Sequence, residues 1–143
     1  MIRKHKEQDL EQIMNIWNDA SALAHPFLTK EFVEKVASDM RHLYIPGSQT
    51  WVFEQNNSII GFISMIENEI GGLFVLPNNH SKGIGTKLVD FVSKENNVLE
   101  VEVFEKNTIG RAFYNKYGFK QIKQYEHEES GNTVLRLHTI KTL

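Results

Sequence analysis

Hydrophobic positions change their period from segment to segment, and each period predicts an element. Leu10, Ile13, Met14 and Trp17 recur at helical spacing, which predicts a helix from about Glu7 to Ala22. Pro26 blocks its continuation. Thr29 is an N-cap candidate for a second helix, with Phe32, Val33, Val36, Ala37 and Met40 on its buried face. Pro46-Gly47 is a turn signal. The pattern then shortens. Trp51 to Glu54 and Ser58 to Ile66 read as strands around an Asn56-Asn57 hairpin turn, and Asn68 marks a turn before a strand from Ile70 to Leu76.

Helical spacing returns at Ile84, Leu88, Phe91 and Val92. Leu99, Val101 and Val103 then alternate with Glu100 and Glu102, the period of a half-buried strand. Asn107 or Thr108 caps a last helix, whose inner face reads as Ile109, Ala112, Phe113 and Tyr117 and whose end is Gly118. A short strand at Ile2 to His5 opens the chain. Lys120 to Tyr125 and Thr133 to Thr139 close it as a pair joined by the acidic turn Glu126 to Asn132. The order β-α-α-β-β-β-α-β-α-β-β is mixed α/β. With no repeat or linker, it predicts a single domain over residues 1–143.

Composition narrows the function classes. The 143 residues suffice for one sizeable core. A net charge of −2 gives no sequence-independent grip on nucleic acid. The absence of cysteine excludes disulfides, thiolate metal sites and a cysteine nucleophile, and it fits a reducing cytoplasm. MIRKHKEQDL lacks the apolar core of a signal peptide, and Ser58 to Ile66 is too short to span a bilayer. The six histidines never recur at spacings of three to five, so no metal site is expected.

The chemistry concentrates in Leu73 to Val92, read LFVLPNNHSKGIGTKLVDFV. A strand stops at Pro77, a polar loop follows, and Gly83-Ile84-Gly85-Thr86 opens a helix. The first turn of a helix has unpaired N–H groups and partial positive charge, and glycines let a bulky anion approach. The segment reads as a phosphate cradle. A dinucleotide fingerprint fails because Leu88 stands at its third glycine, and a P-loop fails at Gly85-Thr86-Lys87. His80-Ser81-Lys82-Gly83-Ile84-Gly85 resembles the [RQ]-x-x-G-x-[GA] signature that grips the coenzyme A pyrophosphate, with His80 where Arg or Gln is usual. Glycines placed only for helix packing are the plainer alternative.

A second segment, NTIGRAFYNKYGF from Asn107 to Phe119, resembles the N-x-x-A-x-x-F-Y-x-x-x-G-F segment of the GNAT superfamily of acyl-CoA-dependent N-acetyltransferases, with Gly110 in place of Ala. The order and spacing of the two motifs also match. Ala24 to Leu28 looks like the YjaB-type bacterial branch. The resemblance implies a mixed, mostly antiparallel sheet of about seven strands flanked by about four helices.

The resemblance also implies a site. Acetyl-CoA lies between the strands at Leu73 to Leu76 and Leu99 to Val103, its pantetheine arm pairing with backbone around Phe74 and Val75. The pyrophosphate meets the N–H groups of Lys82, Gly83, Ile84, Gly85, Thr86 and Lys87. Lys82 and Lys87 read equally well as solvated surface. Asn107 matches the asparagine that binds the coenzyme A arm, and it also reads as a simple N-cap. Val75 N–H is the implied oxyanion donor. Tyr114 matches the family tyrosine and is the candidate acid for the leaving thiolate, since a phenol stays protonated at neutral pH.

Two residues compete for the base. Glu69 shares one side with 71, 73 and 75 if no bulge intervenes, and it reads otherwise as a solvated turn residue. His25 lies between two helices where the family forms its acceptor site, and it reads otherwise as a loop histidine. The expected reaction is direct attack of a small-molecule primary amine on acetyl-CoA in a ternary complex. A peptide or protein acceptor and a non-catalytic acyl-CoA sensor are the alternatives. The expected partners are acetyl-CoA and the acceptor, without nucleic acid, membrane or metal, in the cytoplasm. A homodimer is compatible with the chain.

Overall fold

A computed structural model describes residues 1–140. Seven strands form one sheet: β1 (Ile2–Lys4), β2 (Gln49–Gln55), β3 (Ser58–Ile66), β4 (Glu69–Val75), β5 (Val98–Phe104), β6 (Lys120–His127) and β7 (Asn132–Ile140). Their spatial order is β1-β2-β3-β4-β5-β7-β6. Every neighbouring pair is antiparallel except β4 and β5. The main helices are α1 (Leu10–Ala24), α2 (Lys30–Asp39), α3 (Ile84–Ser93) and α4 (Thr108–Tyr117). The expected order of elements and the mixed, mostly antiparallel sheet are both observed.

Local chemistry sets the boundaries. Asn56 and Asn57 both take positive φ, 53° and 64°, as a tight hairpin turn between right-twisted strands requires. Thr29 caps α2 by accepting Phe32 N–H at 3.2 Å. Asn107 Oδ1 caps α4 by accepting Gly110 N–H at 2.8 Å. Gly118 ends that helix in the left-handed region at φ 117°.

The sheet is covered on both faces. On one face Ile63, Met65, Ile70, Val101 and Val103 pack under Leu88, Val89 and Val92 of α3 and Tyr114 of α4. On the other, Val52 and Phe62 pack under Ile13, Ile16 and Trp17 of α1. Each such side chain contributes about 1.5–3 kcal/mol when fully buried. Tyr117 of α4 donates to Asp90 of α3 at 2.7 Å, tying the two helices together.

Three expectations change. Pro46-Gly47 is no free turn, because helix continues beyond α2 through a π turn at Met40–Tyr44 and an α turn at Ile45–Gly47. In that wider turn Ile45 N–H reaches Met40 O, so the backbone has already left regular α geometry where the proline ring enters. On α2, only Met40 of the expected face is buried, while Phe32, Val33, Val36 and Ala37 are half-buried. Val33, Val36 and Ala37 pack at the edge of the core under α1, and Phe32, Val33 and Val36 line an open cleft. On α4, Ile109 and Ala112 are exposed and Tyr114 is buried. The Asn107 cap and the packing of Tyr114 against Phe113 and Phe119 set which side of this helix is buried.

Candidate active site

The site begins where the sheet comes apart. β4 and β5 pair only at Glu69↔Glu100 and Ile70↔Val101, and beyond Ile70 they diverge. The pairing of β4 with β3 decides which backbone groups face the gap. Leu76 N–H bonds Ile60 O at 2.9 Å, and Val75 lies opposite Gly61. Antiparallel pairs alternate between bonded and unbonded. Gly72 and Phe74 therefore direct their backbone groups to β3, while Leu73 and Val75 direct theirs into the gap. On the far side Glu105 N–H bonds Thr133 O at 2.9 Å, and the same alternation turns Glu102 and Phe104 toward the gap. Val75 O already accepts from His80 Nε2 at 2.8 Å.

A cleft of about 300 Å³ runs from this gap past the end of α1 to α2 and the β6–β7 turn. Its polar wall includes Ser21, His25, Glu102, Asn107 and Tyr114. Tyr114 is wedged edge-on against Phe113 and Phe119, with ring centroids 5.3 and 5.2 Å away. Burial pushes its phenol above the ordinary value, so it is protonated at neutral pH. Its hydroxyl has no hydrogen-bond partner among the described residues, where no sealed polar side-chain atom is left unpartnered. That hydroxyl is therefore open to the cleft.

A guanidinium sits at the paired end of the gap. Arg136 of β7 donates to Glu69 at 2.9 Å, Glu100 at 2.8 Å and Glu102 at 3.3 Å. It holds the Glu100 carboxyl below its ordinary range. Of the three carboxylates, only Glu102 lines the cleft.

The expected phosphate cradle opens α3. Gly83 caps the helix in the left-handed region at φ 80°, a conformation that strains any L side chain. Gly85 serves packing, since an added Cβ would meet Phe113 at 3.0 Å. Residues 81–83 are exposed, leaving the start of the helix accessible to an anion.

A family model described as an acetyltransferase (GNAT) domain matches residues 46–121. The chain belongs to the GNAT acetyltransferase family. It is 30% identical over 120 residues to the peptidyl-lysine N-acetyltransferase YiaC of Escherichia coli, covering 83% of this chain and 82% of that one. It is 27% identical to the peptidyl-lysine N-acetyltransferase YjaB of Salmonella typhimurium, over 97% of this chain and 96% of that one. The solution structure of apo-form YjaB from Escherichia coli shares the fold with a TM-score of 0.88 at 23% identity, covering 99% of this chain and 98% of that one. The activity is acetyl-CoA-dependent N-acetyl transfer.

In this GNAT acetyltransferase the site residues expected from sequence, Glu69 apart, divide into two groups. Phe74, Val75, His25, Asn107 and Tyr114 come together around the gap; of these, Phe74, His25, Asn107 and Tyr114 line the cleft. Phe74 contributes only its side chain there, because its backbone is paired with β3; Leu73 takes its place on the free edge beside Val75. Lys82, Gly83, Ile84, Gly85, Thr86 and Lys87 lie apart from the cleft, at the start of α3. Lys82, Thr86 and Lys87 are exposed, and the Lys87 ammonium rests 5.8 Å from the Phe53 ring centroid.

Glu69 is not in the cleft wall. The register shifts between Ser64 and Met65, which leaves Gly71 as an extra residue in β4. That bulge puts Glu69 on the same face as Glu100 and Glu102, opposite Leu73 and Val75, but at the paired end of the gap, where it bonds Arg136 short of the cleft. His25 is in the wall, but both its ring nitrogens are engaged. Nδ1 lies 3.3 Å from Ser21 Oγ and Nε2 lies 3.2 Å from Asn107 Nδ2. Burial pushes its imidazole down to about 4.

Glu102 was missed as a site residue. The period-two pattern had already set it on the face opposite Val101 and Val103. What sequence lacked was the gap that opens beside it.

Proposed function

We propose that this enzyme transfers the acetyl group of acetyl-CoA to the ε-amine of a lysine in a peptide or protein. The observation that carries the reading is the gap itself, where the free edge of β4, the Tyr114 hydroxyl and the Glu102 carboxylate border one cleft. Acetyl-CoA supplies a thioester-activated acetyl group on an amide-rich arm that ends in a pyrophosphate. The residues present fit it. Leu73 and Val75 offer an unpaired strand edge to amides, and the N–H groups after Gly83 offer an anion site.

The chain's own groups then have distinct tasks. Val75 N–H faces the gap and donates to the carbonyl oxygen that gains charge. Tyr114 gives its proton to the departing sulfur. A lysine side chain, with a pKa of about 10.4, must lose a proton before it attacks. Glu102 takes that proton, directly or through one water, while Arg136 holds its other oxygen. Glu102 replaces Glu69 and His25 as the proposed base because it combines a cleft position with an oxygen left free.

The acceptor class follows from the cleft wall and from the relatives. Leu28, Phe32, Val36 and Phe104 supply apolar surface, and Asp39 and Glu129 add carboxylates. Lys35 of the same wall bridges these two at 2.9 and 3.4 Å, but with Glu102 the wall keeps more carboxylates than cations, and an apolar wall of net negative charge suits an alkyl chain that carries an ammonium. Two relatives spanning most of their own length are named as peptidyl-lysine N-acetyltransferases, which supports a lysine side chain over the small amine first expected.

The test offers acetyl-CoA with lysine peptides, polyamines and free amino acids, and follows thiol release and acceptor mass. Acetylated lysine peptides are expected to form fastest. Turnover confined to small amines would overturn the acceptor class. Absence of turnover with every amine, despite acetyl-CoA binding, would leave a sensor.

A further inference from the structure

We propose that His25 is a latch on the donor site: it holds the Asn107 side chain in the free enzyme, and the acetyl-CoA arm displaces it. The donor then frees the ring that fastens the acceptor wall. The proposal rests on the donor reading above.

The hydrogen-bond directions are forced. Asn107 Oδ1 accepts from Gly110 N–H at 2.8 Å, so the other end of the amide is the NH₂ group. That NH₂ lies 3.2 Å from His25 Nε2 and can only donate, so Nε2 accepts. The ring proton is then on Nδ1, facing Ser21 Oγ at 3.3 Å. The chain Ser21–His25–Asn107–Gly110 thus ties the end of α1 to the start of α4. Asn107 and Ser21 are both buried.

Gly110 is what permits this arrangement. A Cβ at that position would stand 2.5 Å from Asn107 Nδ2. Alanine, the residue usual in the family motif, would crowd the whole amide, with Cγ at 3.0 Å and Oδ1 at 3.2 Å as well, so the Asn107 side chain could not lie against His25 as it does here. The glycine that looked like a mild departure in sequence is the space in which the latch closes.

The latch also reaches the acceptor side. The His25 ring contacts Phe27 at 5.8 Å and Phe104 at 5.2 Å between centroids, and those two rings meet at 5.5 Å. His25 and Phe104 also line the cleft. An amide-rich arm along Leu73 and Val75 brings carbonyl oxygens to the same gap, and Asn107 NH₂ is a donor on its opposite wall. A carbonyl that takes this donor removes His25 from its partner. His25 is therefore a positioning residue, with no proton to move in the reaction.

Calorimetric titration with acetyl-CoA tests the latch by the sign of the effect. His25→Phe keeps an aromatic ring and removes the acceptor, so Asn107 is free for the donor. Its affinity for acetyl-CoA should rise about two- to tenfold, the equivalent of one neutral hydrogen bond, while the KM for a lysine peptide also rises. His25→Gln offers a carbonyl oxygen to Asn107 and should return donor affinity to the wild-type value. His25→Leu removes the same acceptor without an aromatic ring and should also tighten donor binding. It becomes the deciding variant if His25→Phe does not fold. A deciding variant that binds acetyl-CoA no tighter than wild type overturns the latch alone. A wild-type enzyme that does not bind acetyl-CoA overturns both the latch and the donor reading.

Discussion

The two ends of the β4–β5 boundary are built differently. At the closed end, backbone pairing at Glu69↔Glu100 and Ile70↔Val101 is reinforced by Arg136, which gathers Glu69 and Glu100 there and reaches on to Glu102 in the cleft. At the open end there is no strand pairing, and the neutral His25–Asn107 bond joins the end of α1 to the start of α4 beside it. Charged, multiply bonded contacts hold where nothing has to enter. A single neutral bond, worth about 0.5–1.5 kcal/mol net, holds where a ligand must. The difference ties function to the place where the sheet leaves its own backbone unpaired.

The largest expected effect strikes the open end. Tyr114→Phe keeps the ring packed against Phe113 and Phe119 and removes the proton donor. Turnover should fall about 10²-fold or more, with acetyl-CoA affinity unchanged in a binding titration. Unaltered turnover, with chemistry as the slow step, would reduce Tyr114 to a packing residue.

Comparing two carboxylates sharpens the contrast between the ends. Glu102→Gln should lower turnover by about 10²-fold and recover part of it at high pH, where the acceptor amine loses its proton unaided. Glu69→Gln should change the pH–rate profile little, since Glu69 belongs to the closed end. A profile that responds to Glu69 and ignores Glu102 would reverse their roles.

Stability should depend on pH through the latch. Burial lowers His25 from the ordinary 6.5 to about 4. Between those values the unfolded chain binds a proton that the folded chain refuses. Stability is therefore complete above pH 6.5 and declines as pH falls toward 4, by on the order of 2 kcal/mol after allowing for partial exposure. Chemical denaturation between pH 6.5 and about 5, above the range in which Asp9 and Glu100, both held low by arginine partners, give up their own contribution, should show a slope in the wild type that His25→Phe loses.

A smaller effect is expected at the start of α3. Gly83→Val forces a branched side chain into φ 80° at a cost of about 1–2 kcal/mol. The thermal shift that acetyl-CoA gives the wild type should be much reduced in this variant. An undiminished shift would mean the pyrophosphate lies elsewhere.

Much of this was legible along the chain because its causes are local. Asn56-Asn57 announced the hairpin, Gly83 the start of α3, and Asn107 and Gly118 the two ends of α4. Each is a backbone requirement met within a few residues. The parts that were not legible depend on distant partners. The role of His25 is set by Asn107, 82 positions away. Glu69 is held at the paired end by Arg136, 67 positions away. Glu102 could be placed on a face, but the gap beside that face exists only in the assembled sheet. Gly110 looked neutral until Asn107 was seen folded over it.

The central claim is that acetyl-CoA adds itself to the free edge of β4, and residue-resolved amide hydrogen exchange tests it most directly. Exchange would be followed at Leu73, Phe74 and Val75 with and without saturating acetyl-CoA. Phe74 N–H already faces β3 and should be protected throughout, whereas Leu73 and Val75 should exchange readily in the free enzyme and slow when the donor is bound. Saturated binding that leaves Leu73 and Val75 exchanging as before would contradict the account.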